Sequence, residues 1–76
     1  MKEYLQTIIE AIVLNPSEVT ISENQKGETL ILEVKVAGED MGRVIGREGR
    51  HAKSIRTLMK AMAIKENKRV SIEFVG

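Results

Sequence analysis

The chain has 76 residues, no cysteine, no tryptophan, one histidine and a formal net charge of +1. That length supports one small core and not two, because a chain this short buries only about 60–65% of its unfolded surface. Disulfides and thiolate metal sites are excluded, and no apolar run approaches the roughly 20 residues that a helix needs to cross a bilayer.

The first segment reads as a helix, with Leu5, Ile8, Ile9 and Ile12 on one stripe and Lys2, Glu3, Gln6 and Glu10 off it. Glu3 and Glu10 also interrupt any signal-peptide apolar region, so the expected compartment is the cytoplasm. Asn15-Pro16 predicts the end of the helix, since a residue before proline is pushed out of helical geometry. Val19 and Ile21 then alternate with polar residues to about Glu23, and Asn24-Gln25-Lys26-Gly27 predicts a turn with Gly27 at positive φ. From Thr29 to Ala37 the alternation is clearest: Leu30, Leu32, Val34 and Val36 face one way, Ile31, Glu33 and Lys35 the other.

After Gly38, Asp40 is placed to cap a short helix at Met41–Ile45. A long helix follows from Arg50 to about Lys65, with Ala52, Ile55, Leu58, Met59 and Met62 as its apolar stripe. Lys53, Arg56 and Lys60 fall within about 60° of one another around that helix and make a basic face. Glu66-Asn67-Lys68 is a polar turn, and Val70, Ile72 and Phe74 alternate as a last strand. The order is α-β-β-α-α-β in a single domain spanning 1–76. Two helices join the second and third strands, which predicts a parallel pairing and an α+β sandwich: a three-stranded mixed sheet with helices on one face.

Charge is distributed unevenly. Arg43 to Lys60 holds six basic residues and one acid, a local charge of +5, while the rest of the chain carries six basic and ten acidic residues, or −4. Such a field directs polyanions to one place. Across the start of that region runs MGRVIGREGR, residues 41–50. It is no Walker A loop, which would put Gly-Lys where Arg47-Glu48 stand, and no Rossmann fingerprint, because its spacing is GxxxGxxG after a short helix.

The stretch VIGREGR resembles the I-G-x-x-G core of KH domains, and the element order matches the type II, bacterial form of that fold. From about Leu5 to Phe74, and most specifically through DMGRVIGREGRHAKSIRTLM, the chain is similar to the small stand-alone bacterial KH proteins of the KhpA family. The resemblance implies a cytoplasmic RNA-binding protein, an RNA chaperone or post-transcriptional regulator. It further implies pairing with itself or with a KhpB-type partner, and a link to cell shape, peptidoglycan homeostasis and cell division.

Chemistry supports an RNA site independently. Glycines at 46 and 49 let a sugar-phosphate backbone approach the amides that open the following helix, and a GxxG loop clamps about four nucleotides. The expected contact set is Gly42, Arg43, Val44, Ile45, Gly46, Arg47, Glu48, Gly49, Arg50, Lys53 and Arg56. In it Val44 and Ile45 wall an apolar groove, with the edge of the 29–37 strand opposite. Glu48 is an acid where the family pattern is basic or neutral, so it either points away or pairs with a neighbouring arginine. His51 reads as an exposed first-turn residue, and Glu39-Asp40 as helix-capping acids rather than an acid/base pair. No cofactor, metal, membrane or small-molecule substrate is expected, and no nucleophile–base pair points to an enzyme. The alternative reading is a protein-interaction scaffold whose dimer surface would draw on Ile55, Leu58, Met59 and Met62.

Overall fold

The computed structural model describes residues 1–75. Helix α1 (Lys2–Ile12) buries Leu5 and Ile9 completely, with Ile8 and Ile12 packed at the margin of the core. It stops before Asn15-Pro16, because Val13 turns extended (φ −86°, ψ 160°) and sends its own side chain into the core. Pro16 instead opens a single 3-10 turn, Pro16–Glu18, at a position where its missing N–H costs nothing.

Strands β1 (Thr20–Lys26) and β2 (Thr29–Lys35) pair antiparallel through a two-residue turn, Gly27-Glu28. The expected four-residue turn is therefore too long: Asn24, Gln25 and Lys26 are still strand, paired with Ile31, Leu30 and Thr29. Gly27 sits at φ +60°, as the first central residue of a tight hairpin turn requires. Helices α2 (Met41–Ile45) and α3 (Arg50–Lys65) then carry the chain to β3 (Arg69–Val75), which lies parallel to β2.

The sheet order is β1-β2-β3. Inward rows formed by Ile21, Val34 and Phe74, and by Leu32 and Ile72, meet Leu5, Ile9, Val44, Ile55 and Met59 from the helical layer. The outward rows are polar, with Ser22, Glu33 and Glu73 side by side. Helices on one face of a small mixed sheet are the type II KH arrangement that the element order predicts.

Helix α3 buries Ala52, Ile55, Met59 and Ala63, so the expected stripe changes at two places: Leu58 is 46% exposed, and Ala63 is buried while Met62 packs at the core margin. Asn67, at φ +56°, closes the helix by letting the Lys68 amide reach the Ala63 carbonyl at 2.8 Å, a Schellman closure. The chain turns back sharply there, which lays β3 against the length of α3.

Candidate nucleic-acid interface

The glycine segment is anchored from below by a carboxylate. Asp40 makes no cap bond to α2, contrary to expectation. Its oxygens instead accept from the Leu14 and Asn15 amides, each at 3.0 Å, and from the Asn15 side-chain amide at 2.9 Å. With no solvent exposure, it ties the end of α1 to the start of α2. Burial pushes its pKa up, but the Leu14 and Asn15 donors, with the Arg43 guanidinium at 3.6 Å, outweigh that and hold the carboxyl below its ordinary value. Glu39 accepts from the same Asn15 side chain at 2.6 Å, so the two acids brace a corner.

Above this anchor α2 runs for only five residues before Gly46, whose φ of +77° and ψ of 172° lie in a region reserved for glycine. Arg47–Gly49 is one 3-10 turn with Glu48 at φ +56° and Gly49 at φ +74°. Three left-sided or glycine-only conformations within four residues, at Gly46, Glu48 and Gly49, make a sharply folded tip. Helix α3 starts directly behind it with no side-chain cap, its Arg50 amide donating to the Arg47 carbonyl within the turn.

His51 holds the tip in place. Its Nδ1 lies 2.7 Å from the Arg43 carbonyl, and because a carbonyl only accepts, Nδ1 carries the hydrogen. A methyl group on Gly46 would stand 2.8 Å from the His51 ring. His51 is the exposed first-turn residue that its position predicts, and its ring nitrogen also bolts the last turn of α2 to the first turn of α3. Asparagine places its Nδ2 where histidine has Nδ1, so His51→Asn is expected to keep both stability and loop geometry. His51→Asp, which presents only acceptors to the carbonyl, is expected to cost about 1 kcal/mol in urea unfolding. Equal midpoints for the two variants would remove this role.

The basic side chains divide into engaged and free. Arg43 leans on Asp40, and Arg50 stands 4.0 Å from Glu48 with both side chains about three-quarters exposed, a pair worth little. Glu48 therefore meets the expectation of a neighbouring arginine. Arg47, Lys53 and Lys60 take part in no salt bridge among the described residues. Arg56 donates from Nε to the Ile72 carbonyl at 3.2 Å and lies 5.2 Å from the centre of the Phe74 ring, which fastens α3 to β3.

Two expectations about the groove change. Val44 is fully buried and belongs to the core, leaving Ile45, half-buried, as the aliphatic residue at the surface. Strand β2 is the central strand, so both its edges are paired, and the free edge facing α3 belongs to β3. Phe74 comes within reach of the basic face through that edge. The predicted hairpin and the predicted parallel return together already place the second strand between the other two, so its edge is not available to a groove.

The candidate self-association surface also changes. Ile55 is 5% exposed and Met59 not at all, because the stripe they share points at the sheet. Met62 packs at the core margin, and only Leu58 is open.

A family model described as the KH domain of KhpA/KhpB matches residues 2–74. The chain belongs to the KhpA/KhpB KH-domain family. Among its curated relatives, the RNA-binding protein KhpA of Clostridium acetobutylicum is 55% identical across 99% of this chain and all of its own length. The RNA-binding protein KhpA of Caldanaerobacter subterraneus is 51% identical over the same shares. Among solved structures, Era of Aquifex aeolicus superposes with a TM-score of 0.65 over 96% of this chain and 28% of Era. At 16% identity that likeness is one of fold. The match runs through all six helices and strands of this KhpA/KhpB-family chain, the Gly46–Gly49 turn included.

Proposed function

We propose that this protein binds single-stranded RNA, gripping about four nucleotides across the Gly46–Gly49 tip and the basic side of α3. One observation carries the reading: a glycine-built turn backs onto the uncapped start of a 16-residue helix, ringed by Arg43, Arg47 and Arg50. Phosphate approaches the α3 amides there with the positive end of the helix dipole behind them. The relatives named as RNA-binding proteins support the same reading. It asks for no catalytic group, cofactor or metal.

If about three phosphates are neutralised, log K falls with log salt at a slope near −2, or about twentyfold between 50 and 200 mM. Replacing Arg47 and Glu48 together by aspartate is expected to abolish this salt-sensitive binding and leave the thermal unfolding midpoint within a few degrees. Unchanged affinity in the double variant would defeat the reading.

The family resemblance supports a finer version, in which the protein acts as a cytoplasmic RNA chaperone or post-transcriptional regulator tied to envelope and division control. Such a role would use a dimer or a KhpB-type partner. Leu58 is the residue on α3 that fits the contact, since it lies about 160° around the helix from Arg56 and leaves the basic face free. Leu58→Glu is expected to shift light scattering to the monomer mass with RNA binding per chain retained. A mass unaffected by the substitution would take α3 out of the contact.

A further inference from the structure

The basic side of α3 does not end at the loop. Lys53, Arg56 and Lys60 lead along the helix to Ile64, which shares their side of the axis and is 72% exposed. At that end α3 and the start of β3 enclose a cleft of about 340 Å³, lined by Thr29, Lys60, Ala63, Ile64, Lys68 and Arg69 among others. Its apolar lining is Ala63, Ile64 and Val70, and three basic residues border it. The Schellman closure at Asn67 fixes its shape, because the Lys68 amide is held on the Ala63 carbonyl. Lys68 stands 3.8 Å from Glu66 on the surface, while Lys60 and Arg69 take part in no salt bridge among the described residues.

We propose that this α3–β3 cleft is a second nucleotide subsite, receiving RNA that extends beyond the nucleotides held at the Gly46–Gly49 loop. The proposal rests on the RNA-binding reading and adds to it a longer footprint. An aliphatic lining with a cationic border suits a nucleotide, whose base is apolar on its faces and whose phosphate is anionic. The border matches that charge, and the neighbouring hollow, which Glu28 lines together with Lys68 and Arg69, turns the path away at the hairpin. The distance also fits. Arg50 and Ile64 are about 20 Å apart along α3, which about six nucleotides cover even when stacked at 3.4 Å each. Arg56 over Phe74 lies between the two ends and gives the strand a flat surface to cross.

The test compares oligouridylates of about four and about ten nucleotides, the shorter matching the loop clamp alone. Wild type is expected to bind the longer one more tightly, with a salt slope steeper by about 1.4 for two added phosphates. The double variant Lys68→Ala, Arg69→Ala, which leaves the basic face of α3 intact, is expected to lose that added slope and keep its affinity for the short oligomer. Ile64→Ser changes no charge and is expected to weaken the longer oligomer about fivefold, with the short one unaffected. An Ile64→Ser protein that binds both lengths like wild type would reduce the cleft to general electrostatics and overturn the subsite. A double variant that retains the long-oligomer advantage, or a wild type that shows none, would overturn it as well while leaving the loop reading intact. Failure of wild type to bind either length would overturn both.

Discussion

Gly46→Ala is expected to lower the affinity for single-stranded RNA about tenfold or more and to destabilise the fold by about 2–4 kcal/mol. Two independent effects converge on this residue. Its φ of +77° with ψ of 172° belongs to a region that side chains essentially exclude. A Cβ would also stand 2.8 Å from the His51 ring and 2.9 Å from the His51 backbone nitrogen, and the second of these cannot swing aside. Relief requires moving the α2–α3 junction, which carries Arg47 and the first amides of α3 with it. Gly49 provides the comparison: its φ of +74° strains an alanine by about 1–2 kcal/mol, but no neighbouring atom lies within 4 Å of a Cβ there. Gly49→Ala is therefore expected to be the milder change in both urea unfolding and fluorescence anisotropy with labelled RNA. Equal losses at the two glycines would mean that backbone strain alone, and not the seat against His51, sets the loop.

This pair of glycines marks how far a sequence can be read. Their spacing, the flanking arginines and the change of local charge place the candidate site without any coordinates, since each is a property of adjacent residues. The α3 boundaries and the parallel return to β3 follow equally from periodicity and connection length. What escaped are contacts between segments distant in sequence. Asp40 before a helix looks like a cap, and nothing local says that amides 25 and 26 residues upstream claim it first. Phe74 looks remote from the basic face, because nothing local says that the Arg56 guanidinium lies over its ring. His51 carried one usable signal, its position five residues after a glycine that must be bare on one side. The two halves of the α3 stripe were separable only by rotation: Leu58 and Met59 are sequence neighbours, yet one is open and the other sealed.

Asp40→Ala is expected to lower the thermal unfolding midpoint by about 10 °C at neutral pH, with much of the loss shared by Asp40→Asn. The carboxylate accepts three hydrogen bonds from Leu14 and Asn15, and removing it strands donors at a buried corner between α1 and α2. Asparagine keeps the shape but turns an NH2 group toward N–H donors, which substitutes a repulsion for one of those bonds. The pH dependence distinguishes this from simple loss of packing. Because the folded pKa lies below the ordinary aspartate value of 3.8, the unfolded chain binds the proton more readily. The stabilisation is complete above that ordinary value and disappears as pH falls from there through the lower folded value. Wild type and Asp40→Asn are thus expected to differ most near neutrality and to converge in acid, whereas a packing defect would separate them by the same margin throughout. Since the anchor sits beneath α2, the same acid range is expected to loosen the Gly46–Gly49 loop, read as faster amide exchange at Gly46 in wild type but not in a variant already lacking the carboxylate. Convergence of stability without any change at Gly46 would show that the corner supports the fold and leaves the loop to His51.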